Sequence, residues 1–186
     1  MNLQSALEFS HTVLSENVGL GDTVVDATVG NGNDTIFFAS LVGKTGKVYG
    51  FDIQQAAIDQ TKQQLLLTGL QAQTTLICDG HENIAQYVHQ PIGGAIFNLG
   101  YLPGGDKSII THGVTTLTAI KTLMLLLRRG GTICIVIYYG HPGGEEERES
   151  VEQFARQLDQ KTYNVLEYQF INQVHTPPRL VVIQKR

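Results

Sequence analysis

Only two cysteines stand in the 186 residues, Cys78 and Cys134, and each lies in an apolar, strand-like run. That excludes a disulfide framework, and both are read as buried, reduced thiols of a cytoplasmic protein. No spacing of Cys and His matches a metal site. No apolar run reaches the length needed to cross a bilayer. The opening Met1-Asn2-Leu3-Gln4-Ser5 lacks the basic start and apolar core of a secretion signal. Positive charge is also short: 13 Lys and Arg against 17 Asp and Glu leave a net charge of −4. No global field draws the chain to nucleic acid, so any RNA contact has to come from a local patch. Internal repeats, low-complexity runs and linkers are missing as well. A hydrophobic share of 42% over this length suits one domain, residues 1–186, with a real core.

What is present centres on Val24-Val25-Asp26-Ala27-Thr28-Val29-Gly30-Asn31-Gly32-Asn33-Asp34. It reads as a short apolar strand, a glycine-containing turn and the opening of a helix. Two glycines two apart let backbone approach a ligand closely, and the helix that follows aims free N–H groups over the turn. Twenty positions after Gly32 comes Asp52, at the end of a second apolar run, where a doubly wound sheet grips a ribose by its hydroxyls. A dinucleotide fingerprint also needs a third small residue, and here that position is Thr35. Asp34 at the helix mouth would repel a pyrophosphate, but not a ligand with a positive sulfonium-amine end. The pattern Asp26-x-Thr28-x-Gly30-x-Gly32 resembles motif I of the S-adenosylmethionine (SAM) dependent methyltransferases with a Rossmann-like fold, and Asp52 then resembles their ribose-binding acid.

Along the rest of the chain the periodicity alternates between strand and helix. Residues 3–17 form a leading helix with Leu3, Ala6, Leu7, Val13 and Leu14 at helical spacing. Helices follow at Asp34–Val42 and Gln54–Thr68, each stopped by a glycine. Thr74–Cys78 is a third strand, Ile84 to Val88 a short helix, and Gly94–Phe97 a fourth strand. A long helix from Thr111 to Arg129 carries Val114, Leu117, Ile120, Met124 and Leu127 on one face, with Arg128 and Arg129 suiting its negative end. Thr132–Tyr139 is the most apolar strand, hence central and buried on both faces. A helix from Glu145 buries Val151, Phe154 and Leu158, and Tyr163–Ile171 and Arg179–Gln184 close the chain as a strand pair. The fold class is α/β: one Rossmann-like methyltransferase domain with a doubly wound sheet of about seven strands, mostly parallel, and an antiparallel terminal strand.

Ligands of an open parallel sheet sit outside the C-terminal strand ends, which selects five loops. Asp26, Thr28, Gly30, Asn31, Gly32, Asn33 and Asp34 surround the first, and Asp52 and Gln54 the second. Asp79-Gly80-His81 form the third, where Asp79 either accepts from an adenine amino group or only caps the next helix. The fourth, Asn98-Leu99-Gly100-Tyr101, stands where amino-group methyltransferases carry an Asn/Asp-Pro-Pro-Tyr motif. There an Asn side chain steers the target nitrogen and the aromatic residue stacks on the base. Leu99-Gly100 replace Pro-Pro, so the likeness covers Asn98 and Tyr101 alone. Asp106 and Lys107 reach either substrate or solvent. In the fifth loop His141, beside Tyr138 and Tyr139, is either a surface residue or a substrate contact. The segment from Asn172 to Arg179 is either a rigid hairpin turn or a rim for RNA.

Taken together, the motif I stretch, Asn98-Leu99-Gly100-Tyr101-Leu102-Pro103-Gly104-Gly105-Asp106-Lys107 and Tyr139-Gly140-His141-Pro142-Gly143-Gly144-Glu145-Glu146 resemble the YtqB-like group of small bacterial methyltransferases, over essentially the whole chain. The resemblance implies the activity called MnmM: SAM-dependent methylation of the aminomethyl nitrogen of 5-aminomethyl-(2-thio)uridine at the tRNA wobble position. It also implies that Asn31, Asn33, Asp52, Gln54 and His81 lie around SAM. Asn98 would align the nucleophile, Tyr101 or Tyr139 would hold the base, with Lys107 and Arg179 on the substrate side, and Asp106 or His141 would take the amine's proton. The expected partner is the anticodon region of tRNA, with a homodimer to extend the catalytic face, no membrane and no metal. Methylation of a pyrimidine C5 usually needs a cysteine nucleophile, and neither Cys78 nor Cys134 is placed for it. The competing readings are an rRNA or small-molecule methyltransferase, a non-catalytic SAM-binding or nucleotide-binding module, and a nicotinamide dehydrogenase, the last disfavoured by Asp34 and Thr35.

Overall fold

The computed structural model describes residues 2–100 and 111–186. Seven strands form one sheet: β1 (Thr23–Asp26), β2 (Lys47–Asp52), β3 (Thr74–Cys78), β4 (Ile92–Leu99), β5 (Leu127–Ile137), β6 (Tyr163–Tyr168) and β7 (Arg179–Lys185), in the order β3-β2-β1-β4-β5-β7-β6. The pairings from β3 through to β5 are parallel, and β7 runs antiparallel to both its neighbours. The helices are α1 (Ala6–Asn17), α2 (Asn33–Val42), α3 (Gln55–Thr68), α4 (Gly113–Leu126) and α5 (Gly144–Arg156), with a short 3-10 helix over His81–Gln86. Among the described residues no helix is long and apolar enough to cross a membrane.

Strand alternation splits the apolar side chains between two layers. Val25, Phe51, Phe97, Ile133 and Ile135 pack under the side that carries Ile120 and Leu123 of α4 and Val151 of α5. Val24, Val48, Ile96, Cys134 and Val136 face Leu14 of α1, Phe38 and Val42 of α2 and Leu65 of α3. From Gly131 to Ile137, β5 is buried throughout, as its composition requires.

Several details differ from the sequence reading, among them β6, which ends at Tyr168 and not Ile171, and β5, which ends at Ile137 and not Tyr139. Cys78 is exposed, because β3 is an edge strand and its last residue turns outward. Leu3 is also exposed, since α1 begins only at Ala6, after a capping box in which Ser5 and Glu8 bond each other's backbone N–H. Val114 is 81% exposed, and the buried stripe of α4 is Thr116, Ala119, Ile120, Leu123 and Met124. With apolar residues nearly all round α4, periodicity leaves its phase undetermined. Finally, α4 stops at Leu126 and Leu127 already begins β5. Arg128 therefore serves no helix end: its Nη2 and Nε donate to Asp22 at 2.7 and 3.1 Å, and Nη2 also donates to the Asn17 carbonyl at 2.8 Å.

Candidate active site

Strand order reverses at β1, so a crevice opens between the loops after β1 and β4. A cleft of about 650 Å³ occupies that place, within the usual range of small-ligand sites. Thr28, Gly30, Asn31, Asn33, Asp34, Asp52, Gln54, Asp79, Gly80, His81 and Asn98, all expected from the sequence, line it. Asp34, Asp52, Asp79 and Glu82 face the cleft, and among its described lining residues there is no lysine or arginine. Such walls favour a cationic ligand and oppose a pyrophosphate.

Two of the glycine-turn residues act from beneath the wall. Gly32 takes the left-handed conformation at φ 82°, and a Cβ there would lie 2.6 Å from Thr61 Oγ1 and 2.8 Å from Gln64 Oε1 of α3. Gly32→Ala should therefore cost about 1–3 kcal/mol through backbone strain and overpacking. A lower urea midpoint at unchanged slope is the expected reading. Asp26 does not line the cleft either; it is fully buried, accepting from Thr28 N–H at 3.1 Å and from Thr35 Oγ1 at 2.6 Å. Its part is to fix the turn, which corrects the expectation of a direct ligand contact. Burial, with the charge of Asp34 nearby, pushes its carboxyl up to about 8. Between the ordinary carboxylate value of 3.8 and about 8, the folded state holds a proton that the unfolded chain releases. Stability therefore falls as pH rises through that window. Asp26→Asn removes this titration, so its melting temperature should depend less on pH between 5 and 8 than that of the parent chain.

Asp52 connects the first two loops. Its Oδ2 accepts from Gly30 N–H at 2.8 Å and its Oδ1 from Gln54 N–H at 2.9 Å. Each carboxylate oxygen keeps a further lone pair for a hydroxyl donor in the cleft. Asp79 is both brace and wall: Gly80 N–H and Asn83 Nδ2 donate to its Oδ1, each at 2.8 Å, and the Tyr87 hydroxyl to its Oδ2 at 2.9 Å. The bonds from Asn83 and Tyr87 hold its carboxyl below the ordinary range. His81 is 8% exposed, and its Nδ1 lies 3.1 Å from the Ala27 carbonyl. A carbonyl can only accept, so Nδ1 carries the proton and Nε2, buried without a partner among the described residues, is an acceptor. Burial lowers the His81 pKa, which favours this neutral form.

Asn98 is held twice. Its backbone N–H donates to Thr28 Oγ1 at 2.7 Å, and its side-chain Nδ2 donates to Asp34 Oδ2. A flipped amide would set oxygen against carboxylate, so Oδ1 is the atom left as acceptor. The next glycine, Gly100, has φ 146°, and a Cβ there would press on Tyr138 at 3.3–3.4 Å and lie 3.6 Å from His141 Nε2. Glycine is thus required where β4 leaves the sheet. His141 stands beside this turn rather than on the cleft lining, with Nδ1 3.0 Å from the Pro142 carbonyl. Tyr101, Asp106 and Lys107 lie outside the described residues.

Two expected substrate contacts are corrected. Tyr139 is turned away from the cleft, its ring between the guanidinium groups of Arg148 and Arg179, each 5.4 Å from the centroid. Arg179 also pairs with Glu152 at 3.1 Å and Glu167 at 3.2 Å. Among the described residues the tyrosine on the cleft is Tyr138, whose hydroxyl pKa is raised by burial and by Asp34. Consecutive residues at a strand end face opposite ways, and the sequence does not reveal which way each points. His11 of α1 also lines the cleft, its Nε2 2.5 Å from Asp34 Oδ1, and nothing in the sequence singled it out.

A mostly parallel sheet in this order, closed by the antiparallel β7, with an acidic cleft at the β1–β4 switch, is that of a Rossmann-like SAM-dependent methyltransferase. The chain belongs to the family described as "Putative rRNA methylase", which it matches over residues 48–184. A curated relative from Arabidopsis thaliana, named "tRNA (mnm(5)s(2)U34)-methyltransferase, chloroplastic", is 40% identical over 98% of this chain and 70% of its own length. A crystal structure from Clostridium thermocellum, described as that of a "putative rRNA-methylase", is 49% identical, covers all of both chains and superposes with a TM-score of 0.98. A "putative methyltransferase" from Streptococcus mutans, solved in complex with SAH, is 43% identical over the full length of both chains, with a TM-score of 0.92. The buried acceptor of His81, the open lone pairs of Asp52 and the acidic lining suit an adenosyl cofactor with a positive sulfonium.

Proposed function

We propose that this chain methylates the aminomethyl nitrogen of 5-aminomethyl-(2-thio)uridine at the tRNA wobble position. The observation that carries the reading is the Asn98 amide, fixed by Asp34 so that its oxygen is the acceptor at the cleft wall. An accepting amide at that spot suits an N–H of the methyl acceptor and keeps the nitrogen lone pair turned towards the cofactor. The Arabidopsis relative's name supports the substrate. When bound, SAM supplies an electrophilic methyl on sulfur.

The chain's own residues do the positioning. Asp52 takes the ribose hydroxyls, His81 Nε2 accepts one donor from the adenosyl group, and Asn31, Asn33 and Gln54 close around it. Tyr138 walls the acceptor side. A protonated amine has to lose its proton before it can attack; His141, beside Gly100, is the described candidate to receive it. The reading takes residues 1–186 as one catalytic domain in the cytoplasm. It takes the tRNA anticodon region as partner and a second copy of the chain to widen the docking face.

The test is mass analysis of nucleosides from tRNA, rRNA and metabolite pools after incubation with labelled SAM. Label on the aminomethyl group of wobble uridine is the expected result. Label found only in rRNA or metabolites overturns the substrate assignment.

A further inference from the structure

The leading helix does more than cover the sheet. It is seated at both ends: the Tyr168 hydroxyl donates to the Gln4 carbonyl at 2.7 Å, and Arg128 and Gln184 hold Asn17, each at 2.8 Å. That seating sets His11 over the first turn of α2. The imidazole stacks on Phe37, with centroids 4.2 Å apart and planes 8° from parallel, and its Nε2 lies 2.5 Å from Asp34 Oδ1. Phe37 and Asp34 are three residues apart, so one face of α2 offers a ring to stack on and a carboxylate to bond. The other oxygen of Asp34 receives the Asn98 amide. Three side chains from α1, α2 and β4 therefore form one chain of bonds, His11–Asp34–Asn98, that ends at the cleft.

We infer that His11 is a positioning residue for methyl transfer. It fixes the Asp34 carboxylate, and Asp34 in turn prevents the Asn98 amide from flipping or swinging away from the acceptor nitrogen. A carboxylate held on one side only can rotate about its last bond; bonded on both oxygens it cannot. This inference rests on the reading of Asn98 as the amide that steers the acceptor.

The test uses kinetics of the full chain with whichever acceptor the parent chain methylates, alongside calorimetric SAM binding. His11→Phe keeps a ring on Phe37 but cannot donate to Asp34. His11→Gln keeps a donor at the reach of Nε2. We expect His11→Phe to lower kcat on the order of 10²-fold, as a misaligned nucleophile does. SAM affinity and acceptor KM should stay within about 3-fold, since only the orientation of the acceptor changes. His11→Gln should recover most of the loss. In an Asn98→Ala background His11→Phe should cause no further loss, because the two act in series. The inference is overturned if His11→Phe keeps the parent kcat, if the loss appears in SAM affinity instead, if His11→Gln gives no recovery, or if the losses multiply in the double variant. Failure of the substrate reading would show in the parent chain itself, whereas failure of this inference shows only among the variants.

Discussion

Asn98→Ala should lower kcat by about 10²–10³-fold, the usual cost of removing one preorganised polar group at a reacting centre. Cofactor affinity should stay within a few-fold of the parent chain. Methyl transfer from a sulfonium is an in-line displacement, so geometry supplies most of the acceleration. The Asn98 backbone is set by Thr28, at the end of the neighbouring strand, and its side chain by Asp34 on α2. Truncation removes the acceptor at Oδ1 but leaves the Thr28 bond to the backbone, so the loop base keeps its course. Asn98→Asp is an instructive second variant. A carboxylate facing Asp34 would set two negative groups against each other, so it should fare no better than alanine although its oxygens still accept. Single-turnover transfer of labelled methyl, run beside SAM calorimetry, separates the rate from the affinity.

Asp52→Ala should weaken cofactor binding by about 10²-fold or more. Two charge-assisted hydrogen bonds to the ribose hydroxyls would be lost, each on the order of 1.5–3 kcal/mol, or roughly 10²-fold or more in Kd together. The alanine variant also strips Gly30 N–H and Gln54 N–H of their acceptor, so both ligand-facing turns loosen. Asp52→Asn tests the charge separately. Its single oxygen can serve only one of the two backbone donors, and its amide nitrogen then confronts the other. Calorimetry should show a large loss of affinity for both variants, and Asp52→Ala should also melt several degrees lower, on the order of the cost of two unsatisfied backbone donors. Affinity unchanged in Asp52→Asn would mean that the ribose is held elsewhere.

The glycine turn, Asp52 and Asn98 were legible in the sequence because local rules pin each of them. Two glycines before a helix, an acid twenty residues on and a polar residue ending a buried strand all follow from strand and helix geometry. β3 runs over Thr74–Cys78 as its composition indicates, because a parallel edge strand bounded by turn residues has little freedom in register. What escaped depends on contacts across distance in the chain. His11 meets Asp34 across 23 positions, and Arg128 meets Asp22 across 106. No periodicity reports such pairs. The sequence does not distinguish Tyr138 from Tyr139, because the direction of a side chain just past a strand end is set by the following turn. The role of Asp26 as a buried brace, not a ligand contact, depends on Thr35 turning back towards it from α2.

Co-crystallisation with SAH tests the central claim most directly. The account predicts the ribose hydroxyls on Asp52, an adenosyl donor within hydrogen-bond distance of His81 Nε2, and the sulfur facing the side of the cleft where Asn98 presents Oδ1, with Nδ2 still on Asp34. SAH bound away from the β1–β4 switch, or an Asn98 amide turned so that nitrogen faces the sulfur, would contradict it.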